Sequence, residues 1–292
     1  MKYIFCQPAN VKFKWQLQVA LHNLKKHGIK EKDIVLLFLA EDNNVATYFE
    51  QKGYEVHVYS EKIDKTYLPS IKPFLWWKYL DEDSEREKER YFYLDSDVIF
   101  RKKVDIRKMP AKEDVWYCSD CAGYLSLDYI RQCEKGGTLL QNMADIVGVT
   151  IESLETINFN SGGAQWVITK PTAAYWHKVY KDSNKLFRYL TGAGSDIQAW
   201  TAEMWSQLWN MMYFNIGPKV SEELDFCWAT DDIKRWKEVK IYHDAGVTED
   251  MHDLFYKGNY NQSAPFKDSL ANVSKTKCSY MYVKAIKEAM EE

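Results

Sequence analysis

The chain has 292 residues, 46% of them hydrophobic and 28% charged, a composition typical of a folded, soluble protein that can bury a sizeable core. Basic and acidic residues nearly balance, 39 against 42, so the overall charge gives no reason to expect a nucleic-acid partner. No stretch reaches the ~18 apolar residues that a membrane helix needs, so we expect no membrane span.

The amino terminus and the cysteines indicate the compartment. No apolar stretch of signal-peptide length begins the chain, which favours a cytoplasmic protein. Six cysteines are spread along the whole sequence, as is typical of reduced thiols rather than of a disulfide framework. Cys118 and Cys121 have zinc-knuckle spacing and Cys133 lies nearby, but no fourth ligand completes the set. We therefore favour free thiols over structural zinc.

Residues 1–60 alternate between short apolar strands and helices. The pattern predicts strands at 2–6, 33–40 and 54–59, with helices at 15–26 and 43–52 between them. Such a βαβ series favours a parallel sheet with right-handed crossovers. No Gly-x-Gly-x-x-Gly motif follows the first strand, which argues against a dinucleotide-dependent dehydrogenase.

An acidic pair, Asp95 and Asp97, is separated by Ser96 alone. It follows, in order, a predicted helix at 69–79, a solvated charge run at 81–90 and a buried apolar strand at 91–94. If the strands are parallel, the pair lies on the same sheet edge as the end of the first strand, where open α/β sheets bind ligands. Two carboxylates there could bind one divalent cation together with substrate phosphates, which predicts a metal–diphosphate site for a nucleotide conjugate. The alternative is a turn with solvated carboxylates, because short motifs often arise by chance.

The middle of the chain carries a glycine-rich turn. Residues 123–148 mix polar and apolar residues and are interpreted as a flexible insertion. A strand predicted over 157–168 is interrupted by Asn160, Ser161, Gly162 and Gly163. Glycines at this point would let the backbone approach a ligand closely, although an ordinary hairpin turn is the alternative.

The last third adds two further candidate groups. The pattern predicts helices at 172–189, 195–213 and 280–290 and a strand at 239–242. Asp196 and Glu203 stand seven positions apart in the second of these helices, so one helical face could present both carboxylates. His243 follows the strand; it is either an ordinary surface residue or a further ligand for a metal held by the two aspartates.

In this order, the features resemble the glycosyltransferase-A fold, with βαβ units, Asp-x-Asp after an apolar strand, Phe-Asn-Ser-Gly-Gly, an acidic helix and a late histidine. The sequence looks closest to retaining enzymes of the glycogenin-like type and to plant hydroxyproline O-arabinosyltransferases. The likeness covers roughly residues 1–257 in layout, and is specific at 93–98 and 159–165.

The resemblance implies one α/β domain, Rossmann-like, with a mixed, mainly parallel central sheet flanked by helices. Residues 1–258 would form the glycosyltransferase domain, with a nucleotide-binding half at 1–100 and a sugar and acceptor half at 101–258. The segment 259–292 would be a C-terminal loop and helix packed on the same domain.

The resemblance also implies roles for individual residues. Asp95, Asp97 and His243 would bind Mn²⁺ or Mg²⁺ that bridges a nucleoside diphosphate. The donor would be bound by Gln7, Pro8, Ala9, Lys72, Ser96 and Lys257, and the donor sugar and acceptor by Asn160, Ser161, Gly162 and Gly163. The Asp-Gln pair of the glycogenin type is absent, so Asp196 or Glu203 would replace it, with Glu203 favoured.

The predicted activity is transfer of a hexosyl or pentosyl group from a nucleotide sugar, a UDP-sugar, to an acceptor hydroxyl with retention of configuration. The acceptor stays open between a sugar, a peptide and a modified nucleobase. Two other functions compete with this prediction: a nucleotidyltransferase that releases pyrophosphate, and a non-catalytic carbohydrate-binding protein.

Overall fold

The computed structural model describes residues 1–290 and contains two β-sheets with helices packed around them. The strands are β1 (Lys2–Pro8), β2 (Ile34–Leu39), β3 (Glu55–Tyr59), β4 (Arg90–Tyr93), β5 (Val98–Phe100), β6 (Val115–Asp120), β7 (Gly162–Thr169), β8 (Gly217–Val220), β9 (Phe226–Trp228) and β10 (Ile241–His243). The helices are α1 (Val11–Lys26), α2 (Asn43–Gln51), α3 (Ile71–Glu82), α4 (Ala122–Leu125), α5 (Leu127–Gln132), α6 (Gly136–Val147), α7 (Ile151–Glu155), α8 (Ala173–Gly192), α9 (Ala202–Tyr213), α10 (Ile233–Glu238) and α11 (Ser279–Ala289).

The larger sheet has seven strands in the order β3-β2-β1-β4-β7-β6-β8. Strand β7 is antiparallel to both of its neighbours, and every other pair is parallel. The predicted mixed, mainly parallel sheet is therefore confirmed. Because β1 and β4 pair in parallel, the end of β1 and the acidic pair after β4 lie on one edge of the sheet.

The smaller sheet has three strands in the order β5-β10-β9. Its central strand β10 is antiparallel to β5, with His243 opposite Val98, and parallel to β9, with His243 opposite Trp228. Since β5 begins directly after Asp97, this pairing brings His243 to the acidic pair. The backbone N–H of Asp244 also donates to the Asp97 carbonyl at 3.0 Å.

The long helices follow local sequence signals. Helix α1 begins after Asn10, whose side chain accepts a hydrogen bond from the backbone N–H of Phe13, and Lys25 and Lys26 lie in its last turn. All six residues of β2 are buried, as the apolar run predicts for a strand covered on both faces. These elements support the predicted βαβ series.

Two groups of buried apolar residues form the interior. The first surrounds the seven-stranded sheet, and Trp76 of α3 stacks on Trp176 of α8 there with a centroid distance of 4.9 Å. The second includes Trp15 and Val19 of α1, Tyr242 of β10, and Tyr282 and Ile286 of α11. The second core therefore joins the smaller sheet to the two helices nearest the chain ends.

Three sequence predictions about structure are wrong. The flexible insertion expected at 123–148 contains α4, α5 and α6, because Leu139, Leu140, Met143, Ala144 and Val147 give α6 a buried face. The first half of the strand predicted at 157–168 is helical turn, and β7 begins at Gly162. The helix predicted from residue 195 begins at Ala202.

Several other elements were not predicted. Strands β5, β6, β8 and β9 lie in sequence that was assigned no regular structure. The predicted C-terminal segment 259–292 extends two residues beyond the described part of the chain, and its helix is α11. Within residues 1–290, no helix combines the length and the apolar character needed to cross a membrane.

Candidate active site

Asp95, Asp97 and His243 meet where the two sheets come together. One ligand atom from each lies within 4.8 Å of the others. Nε2 of His243 is 3.3 Å from Oδ1 of Asp97 and 3.7 Å from Oδ2 of Asp95. Asp97 and His243 are buried, and Asp95 is half-buried. Two carboxylates and one imidazole are a donor set suited to Mn²⁺ or Mg²⁺, so the residues present fit the predicted metal.

Neighbouring side chains orient the imidazole of His243. The amide nitrogen of Gln165 lies 3.2 Å from Nδ1 of His243. The opposite ring nitrogen, Nε2, faces the two carboxylates. The indole of Trp228 stacks on the same ring, with centroids 5.9 Å apart and an interplanar angle of 17°. His243 is therefore fixed with Nε2 directed at the aspartates.

Two lysines neutralise the aspartates. Nζ of Lys72, on α3, lies 2.7 Å from Oδ1 of Asp95. The ammonium group of Lys257 contacts Oδ2 of Asp97 and donates to the backbone carbonyl of Asp244. These residues bring positive charge to the same edge of the sheet, where a diphosphate would need it.

The buried charges shift one another's ionisation. Burial alone would raise the pKa of Asp97, but the charges of Lys257 and His243 outweigh it and hold that pKa well below its ordinary value. Burial alone would lower the pKa of Lys72, yet the carboxylates of Asp95 and Glu203 raise it. The aspartate and the lysine are therefore both charged at neutral pH.

Glu203 lies at the start of α9 with its side chain buried. Its backbone N–H donates to the hydroxyl of Tyr67 at 2.8 Å, and that hydroxyl donates to the Trp200 carbonyl at 2.6 Å. Burial raises the pKa of Glu203 to about 7, with the charge of Lys72 opposing the shift and that of Asp95 adding to it. The carboxyl group is therefore coupled by charge to the lysine and aspartate at the edge of the sheet.

Asp196 does not share a helical face with Glu203, so that prediction is wrong. Asp196 is exposed and precedes α9, and its Oδ1 accepts from the backbone N–H of Glu134 at 2.8 Å. Ser195 Oγ donates to the Glu134 carbonyl at 2.8 Å. These hydrogen bonds to Glu134, a residue far away in sequence, hold the segment before α9 as a loop.

The end of β1, where donor-binding residues are predicted, lies on the same edge of the sheet as the aspartates, and donor binding there stays a prediction. The buried Gln7 uses its amide to donate to the Leu37 carbonyl at 3.3 Å, and Pro8 and Ala9 continue the chain into α1. Ser96 is also buried, and its hydroxyl donates to Gln16 Oε1 at 2.8 Å. Both polar side chains thus stabilise the edge from within.

The turn at 160–163 packs tightly against its surroundings. A Cβ on Gly162 would lie 2.0 Å from Cys118 Sγ, and one on Gly163 would lie 2.5 Å from the Met204 side chain. Ser161 is buried, and Asn160 Oδ1 accepts from the backbone N–H of Val220 at 3.0 Å. Close packing therefore explains the glycines, and the contact of this turn with donor sugar and acceptor stays a prediction.

Residues outside the predicted set also belong to the site. Tyr67 and Trp228 were not selected from the sequence, because single aromatic residues in an aromatic-rich chain carry no signal. Asp244 is buried beside His243 and accepts from the Tyr242 hydroxyl at 2.6 Å. Burial raises the pKa of Asp244 to about 7 against the opposing charge of Lys257. Its position directly after a candidate ligand was the available signal.

The six cysteines are free thiols, and all of them are buried. Burial raises the pKa of Cys118 well above its ordinary value and that of Cys121 to about 12. Among residues 1–290, the cluster at Asp95, Asp97 and His243 is the group of candidate metal ligands, and the cysteines are not part of it.

No known family model matches the sequence, and no curated protein matches it either. Solved structures do resemble the fold. The bifunctional glycosyltransferase WbbM in its apo form superposes with a TM-score of 0.50 and 10% identity, over 98% of this chain and 51% of WbbM. This chain therefore spans about half the length of WbbM.

Two other glycosyltransferase structures are similar at lower scores. The galactosyltransferase LgtC, in complex with donor and acceptor sugar analogues, has a TM-score of 0.46 and 13% identity, over 98% of this chain and 95% of LgtC. The glycosyltransferase GlyE of Streptococcus pneumoniae TIGR4 has a TM-score of 0.47 and 11% identity, over 99% of this chain and 63% of GlyE. The fold likeness to WbbM agrees with the predicted glycosyltransferase-A type of α/β architecture.

Proposed function

We propose that this protein is a metal-dependent glycosyltransferase that moves a sugar from a nucleotide sugar, a UDP-sugar, to an acceptor hydroxyl with retention of configuration. The observation that carries the proposal is the convergence of Asp95, Asp97 and His243, flanked by Lys72 and Lys257, at the sheet edge. A glycosyltransferase shares the fold that builds this edge. Residues 1–258 would carry the activity, with 259–292 packed on them.

The charges at the site suit a nucleoside diphosphate. Asp95, Asp97 and His243 would hold Mn²⁺ or Mg²⁺, which when bound acts as a Lewis acid on the departing diphosphate and is worth several kcal/mol of barrier. Lys257 would move its ammonium group from Asp97 to a phosphate oxygen once the carboxylate has another cation to bind. Lys72 would stay paired with Asp95 beside the sugar.

The reaction exchanges one bond for another at the anomeric carbon. The acceptor oxygen forms a bond to this carbon, the bond from the carbon to the β-phosphate oxygen breaks, and its electron pair leaves with the nucleoside diphosphate. The acceptor proton passes to the released phosphate oxygen, so no separate base is required. Of the two acids predicted from the sequence, we propose that Glu203 acts at the sugar, because its carboxyl interacts by charge with Lys72 and Asp95.

Replacing Asp97 tests the proposal. UDP release from a panel of UDP-sugars with Mn²⁺ is the assay, because donor turnover needs no known acceptor. We expect Asp97→Ala to fold but to lose turnover by at least about a hundredfold, since each factor of ten corresponds to about 1.4 kcal/mol of lost transition-state stabilisation. EDTA should abolish wild-type turnover.

The matched control is Asp145→Ala, which removes an exposed carboxylate from α6. It should retain wild-type turnover. Near-normal, EDTA-insensitive activity in Asp97→Ala would contradict the proposal. Release of pyrophosphate in place of UDP would identify a nucleotidyltransferase, which could use the same acidic edge.

A further inference from the structure

Trp200 has a far more exposed side chain than the other tryptophans of residues 1–290. Its exposed fraction is 62%, and it lies in the turn Ala199–Thr201 that precedes α9. Seven tryptophans are almost fully buried instead: Trp15, Trp76, Trp116, Trp166, Trp176, Trp205 and Trp209. Phe159 and Tyr213 are also exposed among residues 1–290, so what distinguishes Trp200 is its support by Tyr67, whose hydroxyl also contacts the backbone of Glu203.

The indole is held in place from beneath. The ring of Trp200 packs edge-on against Tyr67 at a centroid distance of 5.9 Å, and Tyr67 stacks on Phe187 at 4.2 Å. The Tyr67 hydroxyl also donates to the Trp200 carbonyl. Leu68, next in the chain, is 50% exposed and extends the apolar surface. A ligand that stacks on this ring would therefore meet a preformed platform and lose little entropy in ordering it.

This platform is connected to the candidate active site. The Tyr67 hydroxyl that contacts Trp200 also accepts from the backbone N–H of Glu203. The buried carboxyl of Glu203 is coupled by charge to Lys72, which pairs with Asp95. Trp200 thus lies three residues before Glu203, and both residues contact the Tyr67 hydroxyl through their backbone.

We propose that Trp200 is the stacking platform for the sugar ring of a carbohydrate acceptor. The inference rests on the proposed function and selects one of the three acceptor classes left open by the sequence. A pyranose has an apolar face of C–H groups that packs on an aromatic ring, and hydroxyl groups around its rim that need polar partners.

The polar groups near Trp200 favour a sugar over a nucleic acid. Asp196 and Gln198 are exposed on the segment that leads into the same turn and could accept or donate hydrogen bonds to hydroxyl groups. Arg188 follows Phe187, the residue that stacks on Tyr67. Its guanidinium group is paired with Asp64 at 2.8 Å, so its positive charge is already neutralised. A modified nucleobase in a polynucleotide would bring phosphates, which bind to exposed basic residues rather than to carboxylates.

The experiment compares Trp200→Ala, Trp200→Tyr and wild type. Saturation-transfer NMR without UDP or Mn²⁺ measures binding of the methyl glycosides of glucose, galactose, N-acetylglucosamine and xylose. We expect transfer to ring protons of at least one glycoside with wild type and Trp200→Tyr, and loss of it with Trp200→Ala. In transfer assays with that glycoside, Trp200→Ala should raise the acceptor KM about tenfold while kcat at saturating acceptor changes little.

The control is Tyr213→Ala, which removes an exposed aromatic ring at the other end of α9 and should bind glycosides as wild type does. The proposal is overturned if no glycoside of the panel binds, if Trp200→Ala binds them equally well, or if 5-hydroxymethylcytidine or a Ser/Thr peptide competes at Trp200 instead. Because glycoside binding is measured without donor or metal, these results are independent of the Asp97→Ala test. If the wild-type protein releases no UDP from any UDP-sugar of the panel, the proposed function is contradicted, whatever the result of the glycoside-binding experiment.

Discussion

The ammonium group of Lys257 contacts Asp97, the more buried aspartate of the cluster, and also donates to the Asp244 carbonyl. The lysine thus compensates a buried carboxylate that would otherwise be costly to desolvate. When a cation binds the carboxylate, the same ammonium group becomes available for an anionic ligand. In the proposed function, the charges of the site would therefore be balanced both before and after a metal–diphosphate pair binds.

Glu203 gives a pH-dependent contribution to stability. Its pKa is about 7 in the folded protein, above the ordinary 4.5, so the folded state binds the proton more tightly than the unfolded state. The ionisation of this group therefore costs no stability well below pH 4.5, costs progressively more between about pH 4.5 and 7, and its cost levels off above about pH 7. We expect Glu203→Gln to be more stable than wild type at pH 8 by roughly 3 kcal/mol, from 1.36 kcal/mol per pKa unit.

The measurement is urea unfolding at pH 8 and at pH 4.5. The stability difference between Glu203→Gln and wild type should be large at the higher pH and small at the lower pH. In its proposed role at the sugar, Glu203 is needed for turnover, so Glu203→Gln should nevertheless lose UDP turnover, a trade-off between stability and activity that is common at functional sites. A pH-independent difference would show that Glu203 does not titrate in this range.

Strand β7 positions several parts of the site at once. It is the strand that runs against its neighbours β4 and β6. Its first residues, Gly162 and Gly163, pack against Cys118 and the Met204 side chain, and Gln165 reaches His243. The register of β7 against β6 shifts between Cys118 and Ser119, which marks an irregularity beside this contact. The first residues of β7 therefore determine both how closely α9 packs and how the imidazole of His243 is oriented.

Gly162→Ala tests this packing. The new Cβ would lie 2.0 Å from Cys118 Sγ and 2.9 Å from the Ser119 carbonyl oxygen, so β6 and β7 must separate. We expect destabilisation by about 1–3 kcal/mol, the usual cost of overpacking, measured as a shift in the urea midpoint. Gly137→Ala in α6 is the control, because no atom lies within 4 Å of its Cβ and alanine favours a helix. Equal stability of the two variants would contradict the packing account.

The second core packs α1, near the start of the chain, against α11, the last helix. Val283 and Ile286 of α11 are buried there with residues of α1 and β10, and Lys26 pairs with Glu288 at 2.8 Å. Trp15 also donates its indole N–H to the Tyr260 carbonyl at 2.9 Å. At the scale of the whole molecule, the last helix therefore supports the sheet that carries His243.

Ile286→Ala tests that support. Ile286 is completely buried, and truncating a fully buried isoleucine costs about 2–5 kcal/mol. We expect a lower urea midpoint together with weaker Mn²⁺–UDP binding in calorimetry, because β10 loses part of its packing. Met290→Ala, at an exposed position just after the same helix, should change neither quantity. If Ile286→Ala is clearly destabilised but binds Mn²⁺–UDP as tightly as wild type, the second core does not support the site and the prediction is wrong.

The sequence predicted the position of candidate site residues more accurately where an apolar strand precedes them than where a helix carries them. Asp95, Asp97 and His243 each follow an apolar run, and the parallel pairing of β1 with β4 could be inferred from the βαβ series. Asp196 was assigned to a helix because the helical pattern of the later residues was extended back to Ser195. The actual start at Ala202 depends on hydrogen bonds to Glu134, which lies far away in sequence.

The remaining errors come from short elements and from glycines. Strands β5 and β9 have three residues each, too few to show a period of two. Helix α6 begins with Gly136, which sequence rules associate with turns, but a side chain there would strike the Ile130 carbonyl at 2.4 Å. Glycine is required at that position by a helix that the fold packs close to α5.

The meeting of the two sheets at the acidic cluster has a mechanical consequence. Asp95 follows a strand of the seven-stranded sheet, while His243 ends the central strand of the smaller one. Any ion bound by both would add a link between two sheets that already share the first core, to which Phe100 and Ile241 of the smaller sheet belong. Such an ion would therefore restrain the turn that carries Asp95 against the end of β10.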